Sequence, residues 1–172
     1  MPLRIRFATP DDASLLHRFV RELAEYEREP LAVKVTEEEL RAQLSQPRPP
    51  FECLIAERGD EGPEVQALGF ALFFASYSTW RGRPGIYLED LYVPPVHRGA
   101  GVGRALLAAL ARLARERGCA RLEWSVLDWN TPAIGFYERL GATAMSEWTI
   151  FRLTDDALER LAGTGEALAR EG

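Results

Sequence analysis

The stretch YLEDLYVPPVHRGAGVGRALLAAL, from Tyr87 to Leu110, constrains the fold more than any other part of the chain. It begins as an apolar strand pattern over 86–93 with Glu89 and Asp90 set into it. It stops at Pro94-Pro95, passes Arg98, Gly99, Gly101 and Gly103, and enters an apolar helix pattern over 101–117. A strand feeding directly into a helix implies an α/β layer in which the helix packs back on a sheet. Glycine is poor helix material, so its density at a helix start needs a reason. The first amides of a helix lack internal partners and sit at the positive end of its dipole. Glycines let the backbone approach an anion and aim its N–H groups at it. The loop therefore reads as a site for a diphosphate, with a tight packing turn as the alternative. Spacing excludes two familiar phosphate motifs. A GxGxxG fingerprint would need glycine or alanine where Arg104 or Leu106 stands, and no Gly-Lys-Ser/Thr follows.

The rest of the chain alternates strands and helices. Residues 3–9 read as a strand. Thr9-Pro10-Asp11-Asp12 opens a helix whose apolar stripe is Leu15, Leu16, Phe19, Val20 and Leu23, ending near Pro30. A second helix is expected over 36–46, stopped by Pro47, Pro49 and Pro50. Strands follow at 51–58 and 65–76, joined by a turn at Asp60-Glu61-Gly62-Pro63. Beyond the strand and helix already described come a strand at 121–127, a helix from Thr131-Pro132 to Gly141, a last strand at 143–153 and a polar helix at 154–169. The order predicts one domain over 1–172: three layers, α/β/α, around a mixed sheet.

A net charge of −5 argues against a nucleic-acid partner, which requires a basic footprint. Cys53 and Cys119 form no CxxC pair, so neither a disulfide framework nor a metal site is expected, and both read as reduced thiols. The opening MPLRIRFATPDD is charged where a signal peptide is apolar, and no run approaches a membrane span. These features predict a cytoplasmic protein without membrane partners.

The loop Arg98-Gly99-Ala100-Gly101-Val102-Gly103 resembles the acetyl-CoA loop of the GCN5-related N-acetyltransferase (GNAT) superfamily, whose pattern is Q/R-x-x-G-x-G/A. The turn Arg6-Phe7-Ala8-Thr9 with Asp11 and Asp12 resembles that family's opening strand-to-helix turn. The run from Asn130 to Ala142 resembles its N-x-x-A-x-x-F-Y-x-x-x-G-F/A segment. RELAEYE at 21–27, YLEDLYV at 87–93 and the segment Trp129–Ala142 are similar to the diamine, or spermidine/spermine-type, branch. The stretch Met145-Ser146-Glu147-Trp148 is more compact than in the animal enzymes of that branch, which leaves polyamine specificity open. The resemblance implies the acyl-CoA N-acyltransferase fold with a splayed central sheet, acetyl-CoA as cosubstrate, direct attack by a small-molecule amine, and a homodimer.

The resemblance also implies residue roles. Glu89 is the base, acting through water, and Asp90 helps hold the substrate cation; for either acid the alternative is a buried structural partner. Tyr137 is the acid that protonates the coenzyme sulfur. Backbone groups of Leu91, Tyr92 and Val93 pair with the pantetheine arm. Arg98, Gly99, Ala100, Gly101, Val102, Gly103 and Arg104 surround the diphosphate. Asn130 and Pro132 lie at the coenzyme-contacting segment, where Asn130 is equally suited to cap the following helix, and Arg139 reaches either the phosphates or solvent. On the acceptor side stand Tyr26, Glu27 and Trp80, with Tyr77 beside them. Glu22, Glu25, Tyr26 and Glu29 share a helical face that either attracts a polycation or is solvated, with Arg18 and Arg21 pairing one turn on. His17 reads as a surface residue and His97 has no assigned role. The rival functions are acetylation of a protein amine and non-catalytic acyl-CoA binding.

Overall fold

Strand β1 (Leu3–Phe7) places Arg4 and Arg6 on one face, since alternate residues share a side. It pairs antiparallel with β2 (Glu52–Arg58), with Arg4 directly opposite Glu57. Both arginines grip the Glu57 carboxylate, which is 2% exposed. Arg6 also forks onto Asp12, donating at 2.8 Å to each carboxylate oxygen. Asp12 accepts the Thr9 N–H at 2.7 Å and closes a 3-10 turn, Pro10–Asp12, that feeds helix α1 (Ala13–Tyr26). One ionic cluster thus ties the edge strand, its neighbour and the helix entry together.

The computed structural model describes residues 2–59, 62 and 65–169. Apart from Gly62, the turn expected at 60–63 lies outside the described residues. The chain forms two compact units, Met1–Leu127 and Asp128–Gly172. In the first, β3 (Gln66–Ser78) and β4 (Arg83–Tyr92) extend the antiparallel part of a five-stranded sheet, ordered β1-β2-β3-β4-β5. The last strand, β5 (Leu122–Trp124), runs parallel to β4, so the sheet is mixed. Between them lies helix α3 (Val102–Glu116); helix α2 (Glu37–Leu44) follows α1 and is capped by Thr36 and Glu39.

The two sheet faces carry separate cores. Leu16, Phe19 and Leu23 of α1 and Leu40 of α2 pack with Cys53, Ile55, Phe70, Leu72 and Tyr92. Phe19 stacks on Phe70 with ring centroids 5.6 Å apart and tilts against Tyr92 at 5.8 Å. The alternate residues Leu54, Ala56, Ala71 and Phe73 point to the other face, where α3 packs and buries Val102, Leu106, Leu107 and Leu110. With helices on both faces, the three-layer mixed α/β architecture is the one expected.

Element ends differ from expectation for local reasons. Helix α1 stops at Tyr26 because Arg28 adopts a left-handed φ of 66°. The amides of Arg28 and Glu29 then turn back to the carbonyls of Glu25 and Ala24, a cap usually built on glycine. Glu29 therefore leaves the helical face it was expected to share with Glu22, Glu25 and Tyr26. Strand β4 begins earlier than expected, because Gly82, with φ of 61°, closes the turn and Arg83–Gly85 already pair with Ser76–Ser78.

The second unit holds α4 (Thr131–Arg139) and α5 (Asp155–Ala162). Among the described residues no strand forms over 143–153, contrary to expectation. Its β-prone residues Trp148, Ile150 and Phe151 are 65%, 74% and 92% exposed, and the described residues of this unit offer no strand to ladder with. Helix α5 ends at Gly163 instead of extending to 169, since Gly163 and Gly165 interrupt it. No helix among the described residues is long and apolar enough to cross a membrane.

The carboxyl of Asp12 is held below its ordinary value by the hydrogen bonds from Arg6 and Thr9, which outweigh its burial. Its stabilisation is present above the unfolded value, about 3.9, and is lost as pH falls through the folded value. Asp12→Ala is expected to cost about 2 kcal/mol and lower Tm by about 5 °C at pH 7. Thermal melts should show that difference shrinking below about pH 4.

Candidate active site

The site is built where β4 loses its neighbours. Its ladder with β5 covers only Ile86–Leu88 against Leu122–Trp124. Beyond Leu88, β4 continues to Tyr92 with no strand on that side among the described residues, while Ser125–Leu127 leave the sheet. Tyr87 marks the parting point: its hydroxyl meets the Ser125 Oγ at 2.8 Å and its ring packs on Phe74. Here the parallel strands splay, as expected of the fold.

On the other edge β4 slips against β3. Phe73 pairs with Leu88 and Leu72 pairs with Asp90, so Glu89 is an extra residue, a β-bulge. The bulge changes the side-chain parity. Leu88 lies opposite Phe73 on the α3 face, whereas Asp90 and Tyr92 lie opposite Leu72 and Phe70 on the α1 face. Glu89 and Asp90 were expected on opposite faces, as strict alternation requires; the extra residue removes that alternation. Glu27, the cap of α1, joins the pair: the charge of Glu89 acts on both Glu27 and Asp90, and that of Glu27 acts on Asp90.

The electrostatic result is specific. Burial, then the charges of Glu89 and Glu27, push the Asp90 carboxyl up to about 7. Burial and Glu89 raise Glu27 as well. Tyr92 is pushed up to about 12 by burial and by the hydrogen bond its hydroxyl donates to Glu22. Among the described residues no three or more His, Cys, Asp or Glu side chains are grouped to hold a metal ion.

The glycine loop follows directly. After the 3-10 turn Pro95–His97, Gly99 and Gly101 take left-handed φ values of 79° and 81°. A Cβ would meet nothing within 4 Å at either position, so the requirement is backbone conformation and not space. Gly101 is the N-cap of α3 and supplies no side-chain acceptor, which leaves the first turn with uncapped amides. Gly103 lies in that turn behind the buried Val102, with Ala100 and Arg104 exposed. Arg98 donates from Nε to the Val93 carbonyl at 2.8 Å, and its guanidinium sits 4.6 Å from the Tyr26 ring centroid. The structure thus joins Tyr26 to the loop through Arg98, a contact with no counterpart in the sequence pattern.

Other expected residues are placed less centrally. Trp80 is 89% exposed in the turn between β3 and β4. That turn lies at the far end of β4 from Glu89, about 20 Å along the strand, and Tyr77 sits at the same end. Trp80 is therefore not brought to the acids. Arg18 approaches Glu22 at 3.7 Å, the expected one-turn pair. His17 is engaged with the Val35 carbonyl at 3.1 Å and is not merely a surface group.

In the second unit, Asn130 is 8% exposed and caps α4, its Oδ1 accepting from the Ala133 amide at 3.4 Å. Pro132 occupies the first turn, where a missing N–H costs nothing. Tyr137 is half-buried with its ring 5.5 Å from that of Phe136, and Arg139 is exposed.

The profile of the Acetyltransferase (GNAT) family matches residues 16–142, and the chain belongs to this family of N-acetyltransferases. It is similar to the thialysine N-epsilon-acetyltransferase of Bos taurus, with 42% identity over 92% of this chain and 96% of that protein. It is also similar to an L-ornithine N5-acetyltransferase of Arabidopsis thaliana, with 32% identity over 92% and 87% of the two chains. In structure it resembles an integron cassette protein from V. cholerae, with a TM-score of 0.76, 26% identity, and 95% and 99% coverage.

Because Asp90 is raised on folding, its ionisation opposes stability between the unfolded value and about 7, and stability falls as pH rises through that window. Asp90→Asn is expected to raise Tm by several degrees at pH 8, an advantage that melts at descending pH should show disappearing near pH 4.

Proposed function

We propose that the chain transfers acetyl from acetyl-CoA to a primary amine of a small cationic molecule, a diamine, polyamine or lysine-like amino acid. The gathering of Glu27, Glu89 and Asp90 beside the glycine loop carries this reading, because converging carboxylates favour a cation between them. The relatives named for thialysine and L-ornithine support the amino-acid form of acceptor. The family match crosses the boundary between the two compact units, which supports one catalytic domain.

The residues present fit acetyl-CoA. Left-handed Gly99 and Gly101 bare the uncapped amides of α3, suited to a diphosphate. The edge of β4 at Leu91 and Tyr92 has no strand paired on the β5 side among the described residues and suits pairing with an extended arm, which continues along Val93 once Arg98 releases its carbonyl. Bound acetyl-CoA supplies the thioester carbonyl. An alkylamine arrives protonated, with a pKa of about 10.4, so a proton must leave before attack. Glu89 takes it through water, while Asp90, Glu27 and Tyr26 hold the cation. An amide among residues 91–93 steadies the carbonyl oxygen as it gains charge. Tyr137 returns a proton to the departing sulfur. Arg98, Gly103 and Arg104 flank the diphosphate, and Arg98 reaches it by leaving the Tyr26 ring. Asn130, Pro132 and Arg139 contribute to the coenzyme segment. Direct attack is favoured because Cys53 is buried under the α1 core and Cys119 lies beyond the far end of α3. The exposed Trp148, Ile150 and Phe151 support a homodimer in which a second copy covers them; light scattering that finds a monomer at micromolar concentration contradicts it.

An acetyl-CoA turnover screen over diamines, basic amino acids and peptides tests the acceptor, with free small amines expected to win. Glu89→Gln and Tyr137→Phe are each expected to lower kcat/KM about 10²-fold, the scale of general acid–base catalysis. Wild-type values in both variants remove these roles. The amine kcat/KM should rise through about pH 7 as Asp90 ionises, and Asp90→Asn should flatten that limb.

A further inference from the structure

At the end of the first unit opposite the acids lies an open cavity of about 350 Å³, walled by Arg83, Ala111, Arg115, Cys119, Ala120 and Arg121. Its cations come from separate places: Arg83 starts β4, Arg115 sits in the last turn of α3, and Arg121 precedes β5. Arg121 pairs with Glu123 at 2.7 Å. Arg83 and Arg115 have no ion-pair partner among the described residues. The C-terminal dipole of α3 accounts for a cation at Arg115; it does not account for the convergence of two more. Like charges brought together cost free energy unless an anion is shared between them. With a net charge of −5, the chain has no general excess of cations to explain the cluster.

The backbone acceptors of the wall are already engaged. The Arg115 and Ala114 carbonyls take the Gly118 and Cys119 amides, the Pro84 carbonyl takes the Ala120 amide, and the Arg121 carbonyl takes the Ile86 amide. What remains unanswered is a set of guanidinium donors, whose fork geometry suits carboxylate or phosphate oxygens. The volume falls within the range of small-molecule sites.

We propose that this cavity binds a small dianion rich in oxygen acceptors, a phosphate ester or a dicarboxylate. Arg83 and Arg115 supply the free donors and Arg121 shares its charge between Glu123 and the ligand. The site is distinct from the donor loop, since α3 and the stretch of β4 from Arg83 to Glu89 each run about 20 Å.

Cys119 provides the readout. It lines the cavity half-buried, whereas Cys53 is buried and its thiol is pushed up by burial. The rate of Cys119 modification by neutral dithiodipyridine is measured with inorganic phosphate, succinate or chloride at matched ionic strength. Binding is expected to slow the reaction about tenfold at a ligand concentration near ten times Kd. Arg83→Gln and Arg115→Gln, both at exposed positions, are expected to abolish that protection with the fold intact, Tm falling by no more than about 3 °C. Protection by phosphate alone assigns a phosphate ester, by succinate alone a dicarboxylate, and by both a site that reads charge only. Equal rates in all three salts, or protection that persists in both variants, overturns the proposal.

Discussion

A strand inside a sheet is normally fixed by a ladder on each side, and at one place β4 loses one ladder and slips along the other. The ladder to β5 ends at Leu88 and Trp124, and the ladder to β3 slips by one residue at Glu89. Either event alone would leave a functional gap half-made. Parting from β5 bares a backbone edge at residues 89–92 while the interior of the sheet stays paired. Slippage against β3 rotates Asp90 and Tyr92 onto the α1 face, so the acids meet the end of that helix. The buried Leu88 on one side of the bulge and Tyr92 on the other hold the irregularity in place.

The helices supply the rest of the site by where they end. Helix α1 closes with Arg28 in a left-handed conformation that a side chain disfavours by about 1 kcal/mol or more. That turn sets Glu27 beside the β4 acids and leaves Tyr26 under the Arg98 guanidinium. At its other end α1 is anchored by the Arg6–Asp12 fork and the buried Glu57. Both ends of the helix are therefore held by charged groups, and its middle by Leu16 and Phe19 in the core.

Charge is distributed along two shared rods. Helix α3 and strand β4 each run between the same two ends, the glycine loop and the Glu89 bulge at one and the arginine-lined cavity at the other. The carboxylates Glu27, Glu89 and Asp90 gather at the first end, and Arg83, Arg115 and Arg121 line the cavity at the second. About 20 Å of strand separates those carboxylates from the cavity arginines, beyond a Debye length of about 10 Å, while Arg98 and Arg104 stand at the glycine loop itself.

The sequence determined the elements whose signals are local. The Thr36 and Thr9 caps, the apolar stripe of α1, the run of β3 and the glycine loop before α3 depend on neighbours within a turn or two. The need for glycine before α3 was legible for that reason, as was the family, while the left-handed φ values of Gly99 and Gly101 are the structure's. Tertiary structure alone decided the bulge at Glu89, the proximity of Glu27, the seat of Arg98 on Tyr26, and the absence of a ladder for residues 143–153. Each depends on which strand lies alongside and in what register. A period of two cannot encode a one-residue slip, and β-propensity at Trp148–Phe151 cannot supply the partner strand that hydrogen bonding requires.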